Sequence, residues 1–87
     1  MHSLLFGSEF LASVKKLDAH LKERVQQQLE LLQQDVFSAK LHTKPLHGKL
    51  AGFYSLRVGR DYRIIFQFRD GQEIVLLDIK PRDKIYR

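Results

Sequence analysis

The sequence predicts an α+β fold, and three observations lead there. A short apolar stretch opens the chain, one apolar stripe at helical spacing follows, and the second half then alternates with period two. Each period belongs to one backbone geometry, 3.6 residues per turn for a helix and two for a strand. The order strand, helices, then three strands predicts helices packed on one face of an antiparallel sheet.

His2 to Phe6 reads as the first strand, stopped by Gly7, with Ser8 expected to cap the helix that follows. Phe10, Val14, Leu17, Leu21, Val25, Leu29 and Leu32 recur every three or four residues and form a single stripe. Lys15, Lys16, Glu23, Gln26, Gln27 and Glu30 fall on the opposite, solvated face. Asp18 interrupts this run with a second capping side chain, so the stretch from Ser8 to Gln34 is expected to be a helical hairpin or a bent helix. Asp35 to Gly52 carries the breakers Pro45, Gly48 and Gly52 and reads as irregular. Phe53 to Val58, Tyr62 to Phe68 and Glu73 to Ile79 are three strands of a meander, turned at Gly59-Arg60-Asp61 and at Asp70-Gly71.

Eighty-seven residues make a single domain, residues 1–87, with 44% apolar and 29% charged residues, an ordinary globular balance. There is no cysteine, which excludes a disulfide scaffold and a thiolate zinc site. His42 and His47 have too few neighbouring ligands for a metal, so no metal or other cofactor is expected, and His2 and His20 are expected at the surface. No apolar run reaches the roughly 18 residues of a membrane span, and Met1 to Phe6 lacks the features of a signal peptide. A cytoplasmic protein without a membrane partner is expected. The net charge of +5 is uneven: Met1 to Ala39 holds four basic and five acidic residues, Lys40 to Arg87 eleven and five. Such asymmetry marks a surface for a polyanion, either nucleic acid or an acidic protein segment.

Register sharpens that expectation. Tyr54, Leu56 and Val58 share a core face, as do Tyr62, Ile64, Phe66 and Phe68, so Val58 should oppose Tyr62 and Arg57 should oppose Arg63. With Val75, Leu77 and Ile79 as the core set of the third strand, Lys80 falls opposite Arg63. Arg57, Arg63 and Lys80 then form a cationic row on the face away from the helices. Like charges placed directly opposite destabilise a sheet, so the row calls for a compensating partner. A phosphate would serve, because Arg binds its oxygens bidentately. Neutralisation by Asp78, lying diagonally from Arg63, or by an acidic partner chain would serve as well.

The run Lys44-Pro45-Leu46-His47-Gly48-Lys49-Leu50-Ala51-Gly52-Phe53-Tyr54-Ser55-Leu56-Arg57-Val58-Gly59-Arg60-Asp61-Tyr62-Arg63-Ile64-Ile65-Phe66 resembles the signature of the RelE/ParE toxins of type II toxin-antitoxin systems. The ending Ile79-Lys80-Pro81-Arg82-Asp83-Lys84-Ile85-Tyr86-Arg87 is similar to that family's finish. It departs from many relatives at Lys80-Pro81, where Gly-His or Gly-Lys is common, and RelE carries a Lys where this chain has Ser55.

The resemblance implies a RelE-like fold and a cognate antitoxin as partner. RelE-like members are ribosome-dependent endoribonucleases acting on mRNA, and ParE-like members inhibit DNA gyrase without cutting RNA. Arg82 followed by Tyr86 fits the RelE-like ending, which implies an mRNA interferase that inhibits translation, with the ribosome and mRNA as partners. The ParE-type inhibitor is the alternative, and a relative that only binds its antitoxin is a third. By the same resemblance Arg57, Arg63 and Arg82 would stabilise the transition state, and Tyr86 would act as general base or stack on a base. Lys44, Lys49 and Lys80, with Lys40, would contact RNA phosphates.

Overall fold

The computed structural model describes residues 1–84. Five strands form one mixed sheet: β1 (Ser3–Phe6), β2 (Lys44–Pro45), β3 (Tyr54–Val58), β4 (Tyr62–Phe68) and β5 (Glu73–Pro81), in the order β1-β5-β4-β3-β2. Two helices, α1 (Ser8–Lys15) and α2 (Ala19–Gln34), connect β1 to the rest and cover one face. β1 lies parallel to β5, Leu4 opposite Ile74, and all other pairings are antiparallel. The α+β arrangement predicted from the sequence is present, with one strand more than expected. Within the stretch read as irregular, Lys44 and Pro45 pair with Ser55 and Tyr54 and supply the edge strand β2. Two residues carry no periodicity, which is why β2 left no signal.

Three local details have clear causes. The helical stripe breaks at Asp18, whose carboxylate accepts from the Leu21 amide at 2.8 Å and caps α2. Ser8 is not a cap: Gly7 holds that position and Ser8 is the first helical residue. Gly7 is there for space, because a Cβ on it would sit 2.7 Å from the Leu76 carbonyl oxygen that its own amide donates to at 2.9 Å. His2 is half-buried, its ring 6.2 Å from Phe68, so it is not a simple surface residue.

The main core lies between helices and sheet, with Phe10, Val25, Leu32, Leu56, Val58, Ile64, Phe66, Ile74, Leu76 and Ile79 buried in it. A smaller cluster, Leu46 and Ile65 with Leu50, Phe53 and Leu77 packed on it, lies on the opposite face. The core set expected for β5 was partly out of phase. Phe66 opposes Leu76 and Phe68 opposes Ile74, while Ile64 opposes Ile79 and Ile65 opposes Asp78, so Leu77 is an extra residue in a β-bulge. The run Ile74-Val75-Leu76-Leu77 fits either phase by pattern alone. A straight strand carrying Ile74 and Leu76 inward would leave Ile79 out of the core, and the bulge brings it back in. Asp78 stays on the helix side, half-buried, where it accepts a hydrogen bond from the Ser13 hydroxyl of α1 at 2.7 Å.

Candidate functional site: a cationic row across the sheet

Arg57 opposes Arg63 across β3 and β4, and Arg63 opposes Lys80 across β4 and β5. The row expected from register is therefore present. The Arg63–Lys80 pairing lies beyond the Leu77 bulge and the Arg57–Arg63 pairing does not involve β5, so the phase error in the first half of β5 reaches neither. β2 extends the same face by one strand, since Lys44 opposes Ser55, two residues before Arg57.

The members of the row differ in exposure. Arg63 is only 3% exposed, and its Nη1 donates to Ser55 Oγ at 3.4 Å, with Ser55 itself fully buried. Arg57 is half-buried; its carbonyl accepts from Gln28 Nε2 of α2 at 2.8 Å, and its Nε is buried with no hydrogen-bond partner among the described residues. Lys80 is exposed. Among the described residues neither Arg57 nor Lys80 has an ion-pair partner. Asp78, offered by the sequence as a neutralising group for Arg63, is turned to Ser13 on the helix side and does not serve the row.

The remaining candidates surround this patch. β5 ends at Pro81, opposite Tyr62, and the Arg82 amide donates to the Asp61 carbonyl at 2.7 Å, which pins the 3-10 turn Arg82–Lys84 beside the β3–β4 turn. The Arg82 side chain is exposed there, one residue beyond the strand pair that bears the row. Lys44 and Lys49 are exposed, Lys44 in β2 and Lys49 in the 3-10 turn Gly48–Leu50, which lies over Ile65. Tyr86 lies outside the described residues. Among the described residues no three His, Cys, Asp or Glu side chains are grouped as metal ligands, and no helix is long and apolar enough to cross a membrane.

Two supporting residues gave little or no warning in the sequence. Ser55 stood out only as the place where RelE carries a Lys, with nothing to mark it as a buried partner of Arg63. Gln28 offered no signal, because its role depends on where α2 crosses β3.

This architecture is that of solved toxins of type II toxin-antitoxin systems. The chain is similar to YafQ from E. coli strain BL21(DE3), with a TM-score of 0.80 at 14% identity and all of both chains covered. It is similar to chains in the RelE-RelB complex from Pyrococcus horikoshii OT3 (TM-score 0.79, 23% identity, 95% of this chain and 97% of that one). It is also similar to the RelB-RelE antitoxin-toxin complex from Methanococcus jannaschii (TM-score 0.74, 28% identity, 94% of each chain). No curated protein sequence matches it significantly. Residues 4–86 match the family described as the ParE toxin of type II toxin-antitoxin systems, parDE, and the chain belongs to that family.

Proposed function

We propose that this toxin is a metal-independent, ribosome-dependent mRNA endoribonuclease. The row Arg57, Arg63 and Lys80, continued by Arg82 at the sheet end, carries the reading. A sheet that opposes like charges gains from an anion lying across them, and RNA phosphate matches Arg in charge and geometry.

In the proposed reaction the 2′-hydroxyl loses its proton and its oxygen attacks the adjacent phosphorus. The bond from phosphorus to the 5′-oxygen breaks, and that oxygen takes up a proton. The products are a 2′,3′-cyclic phosphate and a 5′-hydroxyl. Arg57 and Arg82 would bear on the phosphoryl oxygens as negative charge accumulates, an effect for which one preorganised donor is worth about 10² to 10³ in rate. Arg63, being buried, would act from beneath as a positioning residue, holding Ser55 and reinforcing the positive potential at the face. Tyr86 is assigned by sequence alone, as general base or as a stacking group on the scissile nucleotide. Lys44, Lys49 and Lys80 would bind neighbouring phosphates. The ribosome would supply orientation, which is worth several kcal/mol in a reaction between held groups.

A cognate antitoxin is the proposed protein partner, by analogy with the complexes from M. jannaschii and P. horikoshii. The description of the matched family favours a second reading, a ParE-type inhibitor of DNA gyrase. Mapping the 5′ ends of a defined mRNA, with and without programmed ribosomes, separates the two. Cuts in the A-site codon that require both ribosomes and Arg82 support the nuclease. No cuts, together with DNA breaks in cells, would replace it with the gyrase inhibitor.

A further inference from the structure

A second cationic feature adjoins the row. α2, the 3-10 turn Ala39–Leu41 and the β3–β4 turn enclose an open cleft of about 670 Å³. Its floor is fixed by Gln28, whose Nε2 donates both to the Arg57 carbonyl at 2.8 Å and to the Lys40 carbonyl at 3.3 Å. Arg24, Lys40, Arg57 and Arg60 line it together with His20 and His42, against the two carboxylates Asp18 and Asp61. Asp18 is engaged as the cap of α2. Arg24 donates from Nε to His20 Nε2 at 3.3 Å, which leaves its two Nη nitrogens without a protein partner among the described residues.

We propose that this cleft holds the RNA strand next to the scissile linkage, with Arg24, Lys40 and Arg60 on its flanking phosphates. The inference rests on the nuclease reading and extends it. Arg57 carries the argument: it stands in the row and also lines the cleft, where its carbonyl is held by Gln28, so the two cationic features meet at this residue at the end of β3. Tyr62, half-buried and packed against the core, closes the cleft at the β3–β4 turn. An acidic protein segment would meet the same charges, and polyglutamate serves as its probe in the test.

The test uses the full chain and two fluorescein-labelled 2′-O-methyl RNAs that cannot be cleaved, a trimer that fills only the row and a nonamer. Anisotropy titrations compare wild type, Arg24→Ala/Arg60→Ala, Arg24→Lys/Arg60→Lys, and Lys15→Ala/Lys16→Ala, which removes equal charge from exposed positions at the end of α1. The cleft alanine pair is expected to weaken nonamer binding about tenfold and to lower its salt slope by about 1.4, the share of two single-strand phosphate contacts. Trimer binding should be unchanged, the lysine pair should retain most of the nonamer affinity, and the α1 pair should leave both affinities unchanged. Unchanged nonamer binding in the cleft pair, or an equal loss in the α1 pair, overturns the inference while wild-type mRNA cleavage keeps the nuclease. Wild type that neither cleaves mRNA nor binds either oligonucleotide removes both readings. Binding of polyglutamate, lost in the cleft pair, without RNA binding would reassign the cleft to an acidic protein segment.

Discussion

Replacing Arg57 by Met separates a charge kept for a ligand from a charge kept for the fold. Met preserves most of the aliphatic stem and removes the guanidinium. Arg57 opposes Arg63 directly, and like charges so placed cost a sheet about 0.2 to 1 kcal/mol. Its Nε is buried without a hydrogen-bond partner among the described residues, and an unsatisfied buried donor costs about 1 to 3 kcal/mol. The bond it does make, from Gln28 Nε2, goes to its backbone carbonyl and survives the substitution. Since Arg57 is only half-buried, both terms are reduced by solvent, and a net stabilisation of about 1 kcal/mol is expected. For a domain of this size that raises Tm by about 4 to 8 °C, read by circular dichroism. On the same preparation, cleavage of a ribosome-bound message should fall by about 10² to 10³. A Tm lowered by several degrees would refute the reasoning, because it would mean that the guanidinium stabilises the empty protein.

Four further outcomes are expected. Arg82→Ala should abolish cleavage in the 5′-end assay with Tm unchanged within about 2 °C, since Arg82 is exposed and surface substitutions usually change stability little, and adding Tyr86→Phe should leave cleavage abolished. Gly7→Ala should destabilise by about 1 to 3 kcal/mol in urea titration, since its Cβ would push the Leu76 carbonyl away and strain the 2.9 Å bond between them; an unchanged midpoint would show that β5 yields freely. Asp18→Ala should cost about 1 kcal/mol by the same titration, and Asp18→Asn, which keeps the cap, much less. Ser13→Ala should cost about 1 kcal/mol by removing one of two donors to Asp78 Oδ1, the Ile79 amide at 2.8 Å remaining, and a double-mutant cycle with Asp78→Ala should give a coupling above about 0.5 kcal/mol.

The extent to which the sequence disclosed this molecule follows from which constraints are local. Helical spacing from Phe10 to Leu32 and alternation in β3 and β4 act within a few residues, and both located their elements. The row followed from alternation plus one anchor, Ile64 opposite Ile79. The bulge at Leu77 escaped because four successive apolar residues satisfy either phase, and only the packing of α1 on β5 selects between them. The burial of Arg63 escaped for a related reason: register places a residue on a face without saying what covers that face. The cleft joins α2 to the β3–β4 turn, and nothing in either segment alone announces that they meet.

The parallel pairing of β1 with β5 bears on when the toxin becomes competent. Ser3 pairs with Glu73, so synthesis must pass Glu73 before the first strand has a neighbour and α1 a surface to cover. Contacts so distant in sequence are slow to form, because loop closure must precede any gain from packing. The row is completed by Lys80, on that same last strand. The row therefore exists only once Lys80 has emerged and β5 has paired, which leaves an interval in which a partner can meet the chain before the sheet is complete.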